Sequence, residues 1–419
     1  MSENVRGKKF TEDQKKAIVT ALKADPRRDA KSIAEELGLG HTGVQRFIGR
    51  IRKTGELPAV EGDETPAHER KRIAAEDEVR TLKKRIKDIQ RAHIDDEAIL
   101  AVLGVISDAP VKPPKWLFEI APGTKGPKEV PVAMWSDFHY GEVVNLEETG
   151  GVNQYNMEIA DKRIELLVER TISLCKRHRP DGYSGIVINL LGDFVSGALH
   201  PELAKTDEED VIACTLRMRD ILITCLDKIV EHFGRVYVPC TPGNHGRNTM
   251  KPEFKGYYSK NFDWLIYQLL RRHYDGDDRI IIDVKPSNEI HYKVYGVRFL
   301  AMHGDMLGVK GGDGIIGAIG PIMRGEVKTR GQAFSVGSDY DVLLMGHWHQ
   351  PLWLPRAIVN NALKGFDEYA KHKLRAVPTS PSQMLFFVHP QRGITSRWEI
   401  KLDEPIKTHK DWLAVPAAE

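Results

Sequence analysis

Five short segments of the chain end an apolar run in residues able to bind a cation. They are Val132–Tyr140 (VAMWSDFHY), with Asp137-x-His139, and Ile186–Gly197 (IVINLLGDFVSG), with Gly192-Asp193. The third is Val236–Arg247 (VYVPCTPGNHGR), with Gly243-Asn244-His245. The fourth is Val297–Asp305, ending around His303, and the fifth Tyr340–Gln350, with Gly346-His347-x-His349. Carboxylate, amide and imidazole donors together suit manganese, iron or zinc better than magnesium or calcium, which favour all-oxygen shells. The i, i+2 spacing of Asp137/His139 and His347/His349 would place both side chains on one face of an extended segment, unless the backbone curls after the strand. One Asp-x-His alone carries little weight, since a buried histidine is more often a hydrogen-bonded core residue. Five such motifs, each closing an apolar run, are specific as a set.

The elements that must position these residues follow from the runs themselves. A short, continuously apolar segment reads as a strand buried on both faces. In open α/β sheets, ligands gather beyond the carboxyl ends of the strands, so five such ends would point their donors at one place. From Val132 onward, short apolar runs alternate with long amphipathic stretches, which predicts an α/β or α+β domain of catalytic size.

Composition bounds the rest. The chain has 419 residues, 41% hydrophobic and 29% charged, with a net charge of +2. That balance supports a sizeable core and excludes a uniformly basic nucleic-acid coat protein or a uniformly acidic disordered chain. No apolar window is long enough for a membrane span, and the polar N-terminus lacks a secretory h-region. Cys175, Cys214, Cys225 and Cys240 are widely spaced and form no CxxC pair. These features predict a cytoplasmic protein with no membrane partner.

Four regions are expected: residues 1–57, 66–106, 107–131 and 132–419. The first holds 13 Lys+Arg against 8 Asp+Glu. Thr11 and Gln14 form a capping box that opens a helix through about Lys23. A second helix spans Lys31–Leu37 and ends at Gly38, and a third runs from about Thr42 to Lys53. Val44, Phe47, Ile48 and Ile51 give the third helix an apolar face. Thr42, Gln45, Arg46, Arg50 and Lys53 lie opposite, suited to base edges and phosphates in a DNA major groove or simply to solvent. Leu57–Pro66 reads as a hinge. Ala75, Val79, Leu82, Ile86, Ile89 and His93 then recur at spacings of four and three, a short coiled-coil seam. That seam would join a homodimer through residues 75–93 or pack on the C-terminal domain. The Pro/Gly/Lys-rich stretch 107–131 reads as an extended linker. Gly308–Gly320 is either a substrate-side loop or a connector, and it lacks a P-loop pattern.

The motif series resembles the calcineurin-like metallophosphoesterase superfamily, whose pattern is DxH, GDxxD, GNH(D/E), a lone H and GHxH. The resemblance covers residues 130–400 and includes DNA-repair exonucleases among its relatives. It implies a four-layer α/β/β/α sandwich around two divalent metal ions, manganese foremost, with iron or zinc as alternatives. By that resemblance Asp137, His139 and His349 would hold one ion, Asn244, His303 and His347 the other, and Asp193 would bridge them. His245 would be the catalytic histidine, and Arg247 either a phosphate contact or a structural residue. Two cations about 3.5–4 Å apart lower the pKa of a bridging water to near neutrality, giving a hydroxide nucleophile. Two departures stand out: Ser196 occupies the place of the second Asp of GDxxD, and Gly246 that of the acid after GNH. The N-terminal run IAEELGLGHTGVQRFIGRIRKTGE resembles helix-turn-helix and winged-helix domains. Together these imply a metal-dependent DNA phosphodiesterase, a nuclease targeted by its N-terminal module. The competing readings are a phosphomonoesterase or phosphoprotein phosphatase whose N-terminus only localises or dimerises it, and a DNA-binding regulatory protein whose metal domain is structural.

Overall fold

A computed structural model describes residues 10–54, 111–119, 129–197, 206–249, 251–308, 319–374 and 377–403. The hinge at 57–66, the segment 66–106 with its 75–93 seam, and most of Gly308–Gly320 lie outside the described residues. The chain divides into two compact units, Met1–Glu97 and Ala98–Glu419. Among the described residues no helix is long and apolar enough to cross a membrane. All four cysteines are buried free thiols.

Among its described residues the first unit holds three helices: α1 (Glu12–Ala24), α2 (Ala30–Glu36) and α3 (His41–Lys53). Thr11 and Gln14 form the expected reciprocal cap of α1. Asp29 caps α2, accepting from the Ser32 amide at 2.6 Å. Gly38, at φ 62°, makes the left-handed turn that releases α2 and admits α3. Ile18, Leu22, Ile33, Ala34, Val44, Ile48 and Ile51 close a small core, with Phe47 partly buried beside it.

The second unit is mixed α/β with two sheets. The first sheet has the order β11-β10-β1-β2-β3-β4. Its strands are β1 (Val130–Trp135), β2 (Ile186–Leu190), β3 (Val236–Cys240), β4 (Ile280–Val284), β10 (Ser382–His389) and β11 (Gly393–Lys401). β1 to β4 run parallel, while β10 and β11 add an antiparallel edge. The second sheet, of order β5-β6-β7-β9-β8, comprises β5 (Glu289–Val294), β6 (Val297–Met302), β7 (Val342–Met345), β8 (Leu352–Trp353) and β9 (Ala357–Val359). Helices α4 (Met157–His178), α5 (Val211–Phe233) and α6 (Phe262–His273) connect the parallel strands of the first sheet, and α7 (Ile319–Ser335) connects β6 to β7.

Three apolar cores follow from the alternation of side chains along the strands. Ala133 and Trp135 of β1 face α4, α5 and α6 in the largest core. Val130, Val132 and Met134 face the other way, meeting Tyr292, Phe299, Ala301 and Leu344 of the second sheet. Leu300, Met302, Leu343 and Met345 turn to Ile322 and Ala333 of α7. Within the stretch expected to be an extended linker, Lys115–Leu117 form a 3₁₀ turn that buries Trp116 and Leu117 on the intersheet core. Two large apolar side chains in sequence gain more from that core than from water.

The loops after β2 and β3 approach so closely that only glycine fits between them. A Cβ on Gly192, at φ 86°, would fall 2.2 Å from the Gly243 nitrogen, whereas one on Gly182, at φ 79°, would meet nothing within 4 Å. Gly192→Ala should therefore destabilise the protein by about 2–4 kcal/mol, combining left-handed strain with overpacking. Gly182→Ala should show only the strain component. Equal losses for the two in denaturant unfolding would show that the close approach is not what the glycine serves.

Candidate metal centre

Asp137, His139, Asp193, Asn244, His303, His347 and His349 all emerge at the carboxyl ends of β1, β2, β3, β6 and β7 and are brought together there. Asp137, His139 and His349 form one group whose ligand atoms lie within 4.8 Å of one another, and Asp193, His303 and His347 form a second. A third, His139, Asp193 and His245, joins the first two. His139 Nε2 faces His349 Nε2 at 3.3 Å, and His349 Nε2 lies 3.2 Å from Asp137 Oδ1. His303 Nε2 lies 2.9 Å from Asp193 Oδ2 and 3.2 Å from Asn244 Oδ1.

The i, i+2 pairs are not extended. Asp137, His139, Asp193, His347 and His349 all have φ between 50° and 67°, and among the described residues only Tyr295 of the other non-glycine residues shares that sign. The chain curls at each strand end, and Asp137/His139 and His347/His349 converge from left-handed backbone. Bonds between the loops hold this conformation: Asp137 N donates to Gly192 O, His139 N to Asp193 O and Tyr140 N to Phe194 O, at 2.9–3.0 Å. The His347 amide donates to both Asp137 oxygens at 3.1 and 3.2 Å, and Ser136 Oγ donates to Asp137 Oδ2.

Side chains that are not among these donors complete the support. Asp263, in the first turn of α6, accepts from the amides of Asp193 (2.8 Å), Phe194 (3.0 Å) and Gly243 (3.0 Å), tying the second motif to the third. Burial, then the Asp193 charge, pushes its carboxyl up to about 6. Ser136, Asn360 and Gln383 form a buried network behind Asp137. In the sequence Asp263 reads only as an acid at a helix start, a signal shared with most helices.

The donor chemistry fits a cation. His303 Nδ1 lies 2.7 Å from the Leu191 carbonyl, which can only accept, so Nδ1 carries the proton. In the neutral ring Nε2 is then a lone pair facing the carboxylate oxygen of Asp193 and the amide oxygen of Asn244, three acceptors converging on one point. Burial opposes a second proton on His303, but Asp193, Asp137 and Asp305 outweigh it and push the imidazole up to about 10. The same negative field attracts a divalent ion. Burial likewise works against ionised Asp137, yet the His349 ring holds its carboxyl at about 2. Shifts of this size are characteristic of functional sites.

His245 is beside these groups. Its ring is 4.5 Å from that of His139, edge to face, and its amide donates to Asp193 Oδ1 at 2.7 Å. Burial pushes the imidazole down to about 3, so it is neutral near pH 7. Arg247 is buried, with Nε donating to Thr249 O at 3.0 Å, so part of its guanidinium is committed to its own loop. In the first unit, Thr42, Gln45, Arg46 and Arg50 lie exposed along α3; the side chain of Lys53 lies outside the described residues.

No family model and no curated protein matches the chain. Three of the solved structures that resemble part of it are the following. A Staphylococcus aureus protein assigned as a 5′-nucleotidase, in complex with alpha-ketoglutarate, is 13% identical over 68% of this chain and 56% of its own, with a TM-score of 0.32. The purple acid phosphatase PPD1 from yellow lupin (Lupinus luteus) seeds is 9% identical over 65% of this chain and 54% of its own, at 0.28. A dimetal phosphatase from Danio rerio is 10% identical over 66% of this chain and all of its own, at 0.30. The chain thus spans a little over half the length of the first two. At these TM-scores the likeness carries no argument, and the chemistry rests on the site's own geometry.

Metal-stripped protein should take up two Mn²⁺ per chain by calorimetry and unfold at higher temperature when loaded, by about 2.7 kcal/mol of added stability per ion at a hundredfold excess over Kd. Asp193→Asn should reduce uptake to one ion or fewer, because Asp193 belongs to one outer group and, with His139, to the group that joins it to the other. Retention of two ions by that variant would show that Asp193 is not shared.

Proposed function

We propose that the chain is a calcineurin-like phosphoesterase with a dinuclear metal centre, that it cleaves phosphodiester bonds of DNA, and that its N-terminal unit directs it there. The observation that carries the catalytic part is that Asp137/His139/His349 and Asp193/His303/His347 are joined into one cluster by the group His139/Asp193/His245. In this reading Asp137, His139 and His349 would hold one cation, Asn244, His303 and His347 would hold the other, and Asp193 would serve both. The three apolar cores support a four-layer α/β/β/α arrangement with this centre at the strand ends.

When bound, divalent cations supply Lewis-acid polarisation of the phosphoryl oxygens and an activated water. The chain's own residues do the remainder. Asp137 and Asp193, ionised and fixed by amides of neighbouring loops, supply negative charge without moving. Asn244 adds a neutral oxygen, which keeps the site's net charge from repelling a phosphodiester. His245, neutral and seated against His139, offers an N–H to a phosphoryl or leaving oxygen. Manganese is the cation we expect to serve best, because the donors mix imidazole with carboxylate.

The DNA assignment is supported by the first unit. α2 and α3 are joined by the short turn around Gly38, and α3 presents Thr42, Gln45, Arg46 and Arg50 to solvent. Arg46 and Arg50 make no ion pair among the described residues, leaving their charge available for phosphates. The spacing of a helix-turn-helix with polar and cationic side chains on its second helix suits the major groove.

Hydrolysis of bis-(p-nitrophenyl) phosphate should exceed that of the monoester, and chelation should abolish both; a clear monoester preference would favour the phosphatase reading. His245→Ala should keep its metal while losing about 10²–10⁴-fold in rate. Loss of metal from that variant would make His245 a ligand. The Arg46→Ala/Arg50→Ala double variant should bind duplex DNA more weakly and with a shallower salt dependence, while cleaving the small diester as the parent does. Unchanged duplex affinity and salt slope would remove the targeting role.

A further inference from the structure

We propose that Glu142, held by Lys364, is the positioning residue that orients His139 for its metal. The inference rests on the metal reading of the site and goes beyond it in naming the residues that set one ligand's ring.

Glu142 belongs to none of the five motifs. It lies three residues beyond His139 on a tight turn in which its amide donates to the His139 carbonyl at 3.1 Å. Gly141 makes this turn at φ 98°, where a Cβ would fall 2.6 Å from Cys214 Sγ. Glu142 Oε2 thereby comes 3.1 Å from His139 Nδ1 and 3.2 Å from Ser196 Oγ, and Ser196 Oγ is itself 3.2 Å from Nδ1. An ionised carboxylate can only accept, so the His139 proton belongs on Nδ1. That leaves the Nε2 lone pair directed at His349 Nε2, 3.3 Å away, where the first cation would sit. A carboxylate that fixes the tautomer and ring of a ligating histidine is a general device of metal sites.

A free carboxylate buried there would be costly and mobile. Lys364 prevents both. Its Nζ donates to Glu142 Oε1 at 3.0 Å and to Oε2 at 3.1 Å, and to Asp367 Oδ2 at 2.7 Å. All four side chains, His139, Glu142, Lys364 and Asp367, are buried. The segment bearing Lys364 is itself fixed. Arg163 of α4 donates to the Leu363 and Lys364 carbonyls at 3.0 and 2.7 Å, Asn153 donates to the Lys364 and Phe366 carbonyls at 2.8 Å each, and the Leu363 amide donates to Asp137 O at 3.0 Å. The triad of Glu142, Lys364 and Asp367 keeps one net negative charge beside the cation. A salt bridge serving stability alone gives no reason for one carboxylate oxygen to gather the ring nitrogen and the Ser196 hydroxyl as well.

The test uses the full chain, stripped of metal, with Co²⁺ as the probe, read by calorimetry and by its visible absorption. Glu142→Gln removes the charge at constant shape and should weaken Co²⁺ binding about 10–100-fold. Adding Ser196→Asp returns a carboxylate from the other side of Nδ1, and should recover affinity and the parental Co²⁺ spectrum. Should Glu142→Gln fail to fold with Lys364 left under-paired, Glu142→Gln/Lys364→Met removes that cation and is read in its place. Co²⁺ affinity at the parental level without Glu142, or a loss that Ser196→Asp does not reverse in a variant that melts like the parent, overturns the inference. Absence of Co²⁺ binding by the parent chain would instead overturn the metal reading on which it stands.

Discussion

Left-handed backbone at residues that are not glycine is the constraint around which the second unit is organised. Asp137, His139, Asp193, His347 and His349 each adopt it, at a cost on the order of 1–2 kcal/mol apiece. Summed, that approaches the whole net stability of an ordinary domain. It persists because the strand ends cannot relax: the loops after β1 and β2 bond to each other along their length, and Asp263 binds three amides of two loops at once. The glycines between them permit an approach that any side chain would block. Strain of this kind, concentrated at one group of side chains and offset by their surroundings, is characteristic of sites that must hold groups in an arrangement the free chain would avoid.

Much of this was legible in the sequence, for a definite reason. β1, β2 and β3 are buried on both faces, so each appears as an unbroken apolar run, and the chemistry-bearing residues stand immediately after it. Helix caps were equally readable, since Thr11 and Gln14 satisfy each other within one turn. The curl of the backbone was not, because spacing records how many residues separate two side chains and says nothing of φ. The supporting acids were hidden for another reason. Glu142 and Lys364 are 222 residues apart, and nothing local in either segment marks the other. Asp263 was concealed by a commonplace position at the start of a helix.

The surroundings of His139 show what fixing a buried ring requires. A carboxylate near a histidine ring needs an accepting oxygen at the right distance and a buried charge that is balanced; it does not need a particular place in the chain. Here the Ser196 hydroxyl lies 3.2 Å from the His139 Nδ1, and a glutamate on the neighbouring turn reaches the same nitrogen. Lys364 is the added requirement, because the glutamate is buried and its charge must be balanced there.

The two sheets each contribute to the centre: Asp137, His139, Asp193 and Asn244 from the ends of the first, His303, His347 and His349 from the ends of the second. A cation shared by His139 and His349 would join residues 210 positions apart. By the chain-entropy reasoning applied to disulfides, closing a loop of that size removes roughly 5 kcal/mol of freedom from the unfolded chain. The ion would then act as a reversible cross-link between the halves of the domain, and cellular metal supply would set how long the folded protein survives as well as how fast it works.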